Sequence, residues 1–215
     1  MEHSKSDYLL GILPEKEEWV QQMETYAKEH RVPIMDSVSM NFVMQLIRLK
    51  KPARILEIGT AIGYSALMMA EAAPLAEIVS IERDEERYRQ AENHITGQGR
   101  QDQIRVILGD ALDELDTLRE SGELFDWVFI DAAKGQYRKF FELAEPILSD
   151  SGVIISDNVL FRGLVANPEK AHQRHRKMVE KISSYNRWIC SHSGFDTSIV
   201  PIGDGVAISV KKGRG

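Results

Sequence analysis

Between residues 53 and 156, five short apolar runs alternate with stretches of helical periodicity, and few folds accept that order. The runs at 53–58, 77–81, 104–108, 125–130 and 153–156 are too short for buried helices and read as strands. Residues 64–73, 84–98, 111–119 and 136–148 carry the helical spacing between them. The connections are short, so each strand should run parallel to the last, with helices on both faces of one sheet. After Glu169 a long basic helix is expected to reach about Ile189. Two further runs, 197–202 and 206–211, flank Gly203-Asp204-Gly205. That is a hairpin signal, so an antiparallel pair should close one sheet edge. Ahead of the sheet, 15–29 puts Trp19, Met23, Tyr26 and Ala27 on one helical face, and 35–49 spaces Met40, Val43, Met44 and Ile47 for burial. The expected organisation is a single α/β domain over 1–215, with N-terminal helices in 1–50 and an α/β core in 53–212.

A chain of 215 residues is long enough for one such domain with a full core. No low-complexity stretch offers a linker, and 43% hydrophobic with 28% charged residues is globular composition. No apolar run reaches the roughly 18 residues of a membrane span. Met1-Glu2-His3-Ser4-Lys5 lacks the apolar core of an export signal. Cys190 is the only cysteine, so a reducing cytoplasm is the expected compartment and Cys190 itself is expected as a small buried apolar residue. The net charge of −6 is uneven, because residues 151–215 carry ten Lys/Arg against five Asp/Glu. An anionic ligand would be drawn to that third, although a solvated basic helix face also explains the charges. The same bland reading covers His172 and His175.

Glu57-x-Gly59-x-x-x-Gly63 follows the first strand and opens a helix. Glycine lets the backbone turn tightly and approach a ligand, and helix N-terminal amides then face that ligand. Glu82 ends the next strand, 19 residues beyond Gly63. A carboxylate there can accept from two ribose hydroxyls. Asp110 ends the third strand and is placed either to accept from an adenine amino group or to cap the following helix. A dinucleotide fingerprint wants a middle glycine where Ala61 stands, and a phosphate partner is missing too, which disfavours a nicotinamide oxidoreductase. Glu57, read as part of the turn, suits a cationic amino acid moiety. Adenosine, ammonium and sulfonium together describe S-adenosylmethionine.

Asp131 ends the fourth strand, and Asp157-Asn158 ends the fifth, 26 residues later. Strands one βα unit apart are usually neighbours, so the three side chains should converge. Two carboxylates in one cleft repel unless a cation or a proton holds them. Two Asp and one Asn suit a hard cation, Mg²⁺ above all, and the absence of His or Cys argues against zinc. Capping and turn formation at strand ends is the competing explanation. Lys134, three residues after Asp131, is placed to take a proton from a hydroxyl near the metal, unless it is an ordinary exposed lysine.

These motifs together (Leu56 to Ser65, Ile81-Glu82, Gly109-Asp110-Ala111, Phe129 to Lys134 and Ser156-Asp157-Asn158) resemble the metal-dependent O-methyltransferases of the catechol and caffeoyl-CoA type over about residues 33–212. The resemblance implies a Rossmann-like class I methyltransferase with a seven-stranded, mostly parallel sheet. It implies Asp131, Asp157 and Asn158 as metal ligands and Lys134 with Asp131 as the catalytic pair. Met35, Glu57, Gly59, Gly63, Ser65, Glu82, Asp110 and Asp131 would hold the cofactor, with Ser65 at its methionine end. Ala132-Ala133 stand where the catechol enzymes carry bulky residues, which puts a small flat phenol in doubt as substrate. A closer resemblance, through Val32-Pro33-Ile34-Met35, Asp131 to Tyr137, Asp157 to Gly163 and Ile202 to Gly205, is to the bacterial branch that methylates 5-hydroxyuridine in tRNA anticodons to 5-methoxyuridine. That branch implies tRNA as partner, with Arg162, Arg174, Arg176 and Lys177 as RNA contacts and Lys211-Lys212-Gly213-Arg214 adding charge. The family also implies a homodimer. A catechol-type small-molecule methyltransferase and a non-catalytic cofactor-binding protein are the alternatives carried forward.

Overall fold

A computed structural model describes residues 5–213, with side chains from Asp7 onward. Arg214 and the reading of residues 1–4 as lacking an export signal lie outside the described residues. Three helices come first: α1 (Lys5–Ile12), α2 (Glu18–His30) and α3 (Ser37–Lys50). Then β1 (Arg54–Ile58), α4 (Tyr64–Ala72), β2 (Glu77–Glu82), α5 (Glu85–Gly97), β3 (Ile104–Leu108), α6 (Ala111–Glu120), β4 (Phe125–Ile130), α7 (Tyr137–Ala144) and β5 (Leu148–Ser156) alternate. Helix α8 (Gln173–Cys190) and the hairpin β6 (Phe195–Val200) and β7 (Val206–Lys211) complete the chain. The sheet order is β3-β2-β1-β4-β5-β7-β6. Strands β1 to β5 pair in parallel, and β7 inserts antiparallel between β5 and β6.

Successive strand residues point to opposite faces, and here both faces are buried. Ile55, Ile78, Trp127, Phe129 and Ile155 pack with α2, α3 and α4 through Met23, Met40, Val43, Ile47 and Leu67. Leu56, Val79, Val128, Ile130 and Ile154 pack on the other face with α6, α7 and α8 through Leu115, Phe141 and Ile182. Each fully buried aliphatic side chain contributes about 1.5–3 kcal/mol. Helices α2 and α3 therefore belong to the same core as the sheet. Asp36 starts α3 because its carboxylate accepts from the Val38 and Ser39 amides. No described helix is long and apolar enough to cross a membrane.

The sheet order reverses between β1 and β4, and a crevice opens at the carboxyl ends of strands there. Several local expectations are corrected. Helix α1 has no counterpart in the periodicity reading, since Tyr8, Leu10 and Ile12 are exposed and show no buried stripe. The single helix expected over 136–148 divides into a 3₁₀ turn at Lys134–Gln136, α7, and a second 3₁₀ turn at Glu145–Ile147 containing Pro146. Strand β5 starts at Leu148 rather than 153. Helix α8 starts at Gln173, capped by the His172 ring, and a separate 3₁₀ turn occupies Pro168–Lys170. Strand β6 starts at Phe195, two residues before the expected position. Cys190 is exposed, not buried, as the last residue of α8.

Candidate active site

The crevice is a cleft of about 290 Å³ lined by Gly59, Thr60, Ala61, Ser65, Glu82, Asp110, Asp131 and Lys134, with Pro33 and Ile34 closing one side. Gly59 has φ +104°, and a Cβ there would lie 2.3 Å from the backbone oxygen of Asp131. Only glycine lets β1 turn so close to the end of β4. Gly63, at φ +85°, opens α4. Between them Ala61 takes φ +46° despite its Cβ, a conformation disfavoured for L residues. Its amide donates to Glu82 Oε2 at 2.8 Å, and the Asp84 amide donates to Oε1 at 2.9 Å. Glu82 is thus fixed by backbone on both oxygens while it faces the cleft. Asp110 does two things at once: it lines the cleft, and it caps α6 by accepting from the Leu112 amide at 2.9 Å.

Glu57 and Met35 sit differently from expectation. Glu57 lies within β1 rather than in the turn, is fully buried, and does not line the cleft. Ser65 Oγ donates to its Oε1, and Ser80 Oγ donates to Oε2 at 2.5 Å, with Thr60 Oγ1 2.5 Å further along the chain of hydroxyls. Burial pushes the Glu57 carboxyl up to about 7 despite these bonds. Glu57 therefore holds Ser65, and Ser65 faces the cleft. Met35 is buried beside an adjoining cavity of about 740 Å³ that also touches Leu10, Lys28, Asp157, Asn158 and Asp204.

Ile130 pairs with Ser156, so Asp131 and Asp157 leave adjacent parallel strands side by side. Burial raises the Asp131 carboxyl to about 6 although Lys134 opposes the shift. Burial raises Asp157 well above the carboxylate range, and the Asp131 charge adds to it. The Asn158 amide and carboxamide donate to Asp157 at 2.7 and 2.6 Å. Two carboxylates that each resist ionisation, Asp157 buried and Asp131 half-buried, are a donor set that an added cation would relieve. Among the described residues no three His, Cys, Asp or Glu side chains gather as metal ligands; here the third oxygen donor is an amide. Lys134 is half-buried, and burial lowers its pKa against the pull of Asp131, Asp157 and Asp204. Its Nζ lies 5.7 Å from the Phe161 ring centre. Lys134, the two carboxylates and the glycine turn thus occupy one rim.

The O-methyltransferase family model matches residues 11–212. The chain is 31% identical over 186 residues to a catechol O-methyltransferase of Niastella koreensis, covering 82% of each chain. A candidate caffeoyl-CoA O-methyltransferase from Staphylococcus aureus, solved by crystallography, superposes with TM-score 0.88 at 35% identity, covering 95% of this chain and 97% of that one. The O-methyltransferase TomG from Streptomyces achromogenes, solved in complex with SAM, gives TM-score 0.83 at 26% identity over 96% and 95%. This chain belongs to the O-methyltransferase family. Its seven-stranded sheet with an antiparallel C-terminal hairpin is the Rossmann-like methyltransferase fold of those neighbours.

On α8, Arg174, Lys177 and Lys181 are exposed and spaced i, i+3, i+7, one stripe of the helix. Lys181 Nζ lies 3.3 Å from where a Gly135 Cβ would stand, which puts the stripe beside the turn that carries Lys134. His175 packs its ring 5.6 Å from Phe161. Arg176 is exposed beside the stripe. Arg162 is exposed on the loop before α8 and near enough to Lys134 to depress its pKa. Sequence reasoning missed Arg83, Arg87 and Gln136 in the cleft wall. Arg83 follows a strand-end acid, which is a usable signal. Ser80 gave none, because a hydroxyl inside a strand reads as an ordinary β residue.

Proposed function

We propose that this family member transfers the methyl group of S-adenosylmethionine to O5 of 5-hydroxyuridine in a tRNA anticodon, giving 5-methoxyuridine, with Mg²⁺ held by Asp131, Asp157 and Asn158. The observation that carries the reading is the side-by-side exit of Asp131 and Asp157 from β4 and β5 beside Lys134, on the rim of the cleft that Glu82 and Ser65 line. When bound, S-adenosylmethionine supplies the methyl group and Mg²⁺ the charge that makes a hydroxyl more acidic.

The chain's own residues do the rest. Glu82 accepts from the ribose hydroxyls with its remaining lone pairs. Asp110 accepts from the adenine amino group, and Ser65 meets the methionine end. Gly59 and Gly63 keep the turn close to the cofactor. Lys134, with its pKa lowered by burial, would take the proton from the substrate oxygen, which would receive the methyl group as the sulfonium sulfur leaves with its bonding pair. Ala132 and Ala133 leave room on the wall for a nucleobase. O5 of 5-hydroxyuridine lies beside the C4 carbonyl, which matches the paired oxygens of a catechol. The α8 stripe and Arg162 offer phosphate contacts beside that rim, where electrostatics dominates RNA affinity.

A catechol-type small-molecule substrate is the second reading, favoured by the Niastella koreensis relative. Nucleoside mass spectrometry of tRNA from a deletion strain separates the two. Accumulated 5-hydroxyuridine with no 5-methoxyuridine supports the tRNA reading; unchanged 5-methoxyuridine returns the case to small molecules. Turnover that stops with EDTA and returns with Mg²⁺ supports the metal assignment. We also propose a homodimer in the cytoplasm, with Tyr8, Leu10 and Ile12 of α1 as the exposed apolar surface to be covered.

A further inference from the structure

The loop after β5 is held in an unusual backbone state. Asn158, Phe161, Arg162 and Gly163 have φ of +59°, +42°, +55° and +73°. Three of these four carry a Cβ that clashes with its own backbone in this region. Such a run persists only where surroundings over-determine it. The surroundings are the turn between β6 and β7. The Val159 amide donates to Gly205 O at 2.9 Å, and the Leu160 and Phe161 amides donate to Asp204 O at 2.8 and 3.1 Å. The Arg162 amide donates to Asp204 Oδ1 at 3.2 Å. Four consecutive amides end on two turn residues.

The turn itself has no slack. A Cβ on Gly205 would lie 2.4 Å from Leu160 Cγ, and one on Gly203 would lie 2.1 Å from Asp36 Oδ2. The hairpin tip is therefore wedged between the loop and the start of α3. The loop it fixes begins with Asn158 and sets the Phe161 ring 5.7 Å from Lys134 Nζ.

We infer that Asp204 is a positioning residue: through the loop it clamps, it fixes the carboxamide of Asn158 and the ring beneath Lys134. This rests on the metal reading of Asp131, Asp157 and Asn158. Nothing in Asp204 touches the cofactor cleft, so its loss should separate metal affinity from cofactor affinity.

The test titrates Mn²⁺ into the full chain by electron paramagnetic resonance, and S-adenosylmethionine by calorimetry. Asp204→Ala is expected to weaken Mn²⁺ about tenfold, the usual scale for a residue that orients a ligand, and to leave S-adenosylmethionine affinity within about twofold. Asp204→Asn keeps an acceptor for the Arg162 amide and is expected to restore most of the Mn²⁺ affinity. Should Asp204→Ala fail to fold, Asp204→Ser against Asp204→Asn gives the same comparison. Parent-like Mn²⁺ binding in the Ala or Ser variant overturns the inference, as does an equal loss of both ligands. Asp131→Ala is the control. If it binds Mn²⁺ as the parent does, the metal reading has failed; if it loses Mn²⁺ while Asp204→Ala does not, only the positioning role has failed.

Discussion

Gly59→Ala should damage this protein twice, once in stability and once in turnover. At φ +104° an alanine is strained by about 1–3 kcal/mol before any contact is counted. Its Cβ would stand 2.3 Å from Asp131 O, where ordinary contact begins at 3.4 Å, so the ends of β1 and β4 must part by roughly 1 Å. That movement also strains the bond from the Asp131 amide to Ile58 O, now 3.0 Å, at a further cost of about 1 kcal/mol. The expected destabilisation is on the order of 3 kcal/mol, a Tm lower by roughly 6–12 °C for a chain of this size. A 1 Å displacement of Asp131 should lower kcat about 100-fold in the molecules that remain folded. Scanning calorimetry and single-turnover methyl transfer measure the two effects separately. Gly97→Ala is the control, since nothing lies within 4 Å of a Cβ there. A Gly59→Ala protein with parent Tm and parent turnover would refute the close approach of the two strand ends.

Three further outcomes are expected. Lys134→Ala should lower kcat by about 10²–10⁴-fold with S-adenosylmethionine affinity kept, measured by stopped-flow turnover and calorimetry; retained turnover would remove Lys134 as the base. Arg174→Glu combined with Lys177→Glu should cripple methylation of tRNA, make the salt dependence of tRNA binding shallower by about 2 in log–log slope, and spare a free catechol; parent activity on tRNA at physiological salt would count against docking on α8. Glu57 has a folded pKa of about 7, above its unfolded value, so its contribution to stability is full at low pH and is lost as pH rises through 7. Glu57→Gln should therefore be more stable than the parent at pH 8, by on the order of 3 kcal/mol at most, and little different at pH 4.5; urea unfolding curves whose gap does not widen with pH would contradict the burial argument.

Much of the fold was legible because its signals are local. The apolar runs and helical spacings depend on the near neighbours of each residue, and β1 to β5 appeared where those patterns change. Strand-end acids are legible for the same reason: in a parallel sheet the residue after each strand must reach one rim. The weak points were ends and irregularities. Pro146 broke a continuous helical pattern, and α1 lacked the buried stripe that periodicity needs. Cys190 reads as a core residue by type, but it is exposed as the last residue of α8.

By itself, then, the sequence determined the alternation, the Gly59 to Gly63 turn, and the set of Glu82, Asp110, Asp131, Asp157 and Asn158 at strand ends, with Lys134 three residues beyond Asp131. Tertiary structure decided what those groups face. It turned Glu57 away from the cleft and onto Ser65 and Ser80, brought Lys181 beside Gly135, and clamped the Asn158 loop with Asp204 from a hairpin more than 40 residues away. The physical reason is range: backbone periodicity is fixed by neighbours in the chain, whereas burial, charge coupling and amide partners are fixed only when distant segments meet.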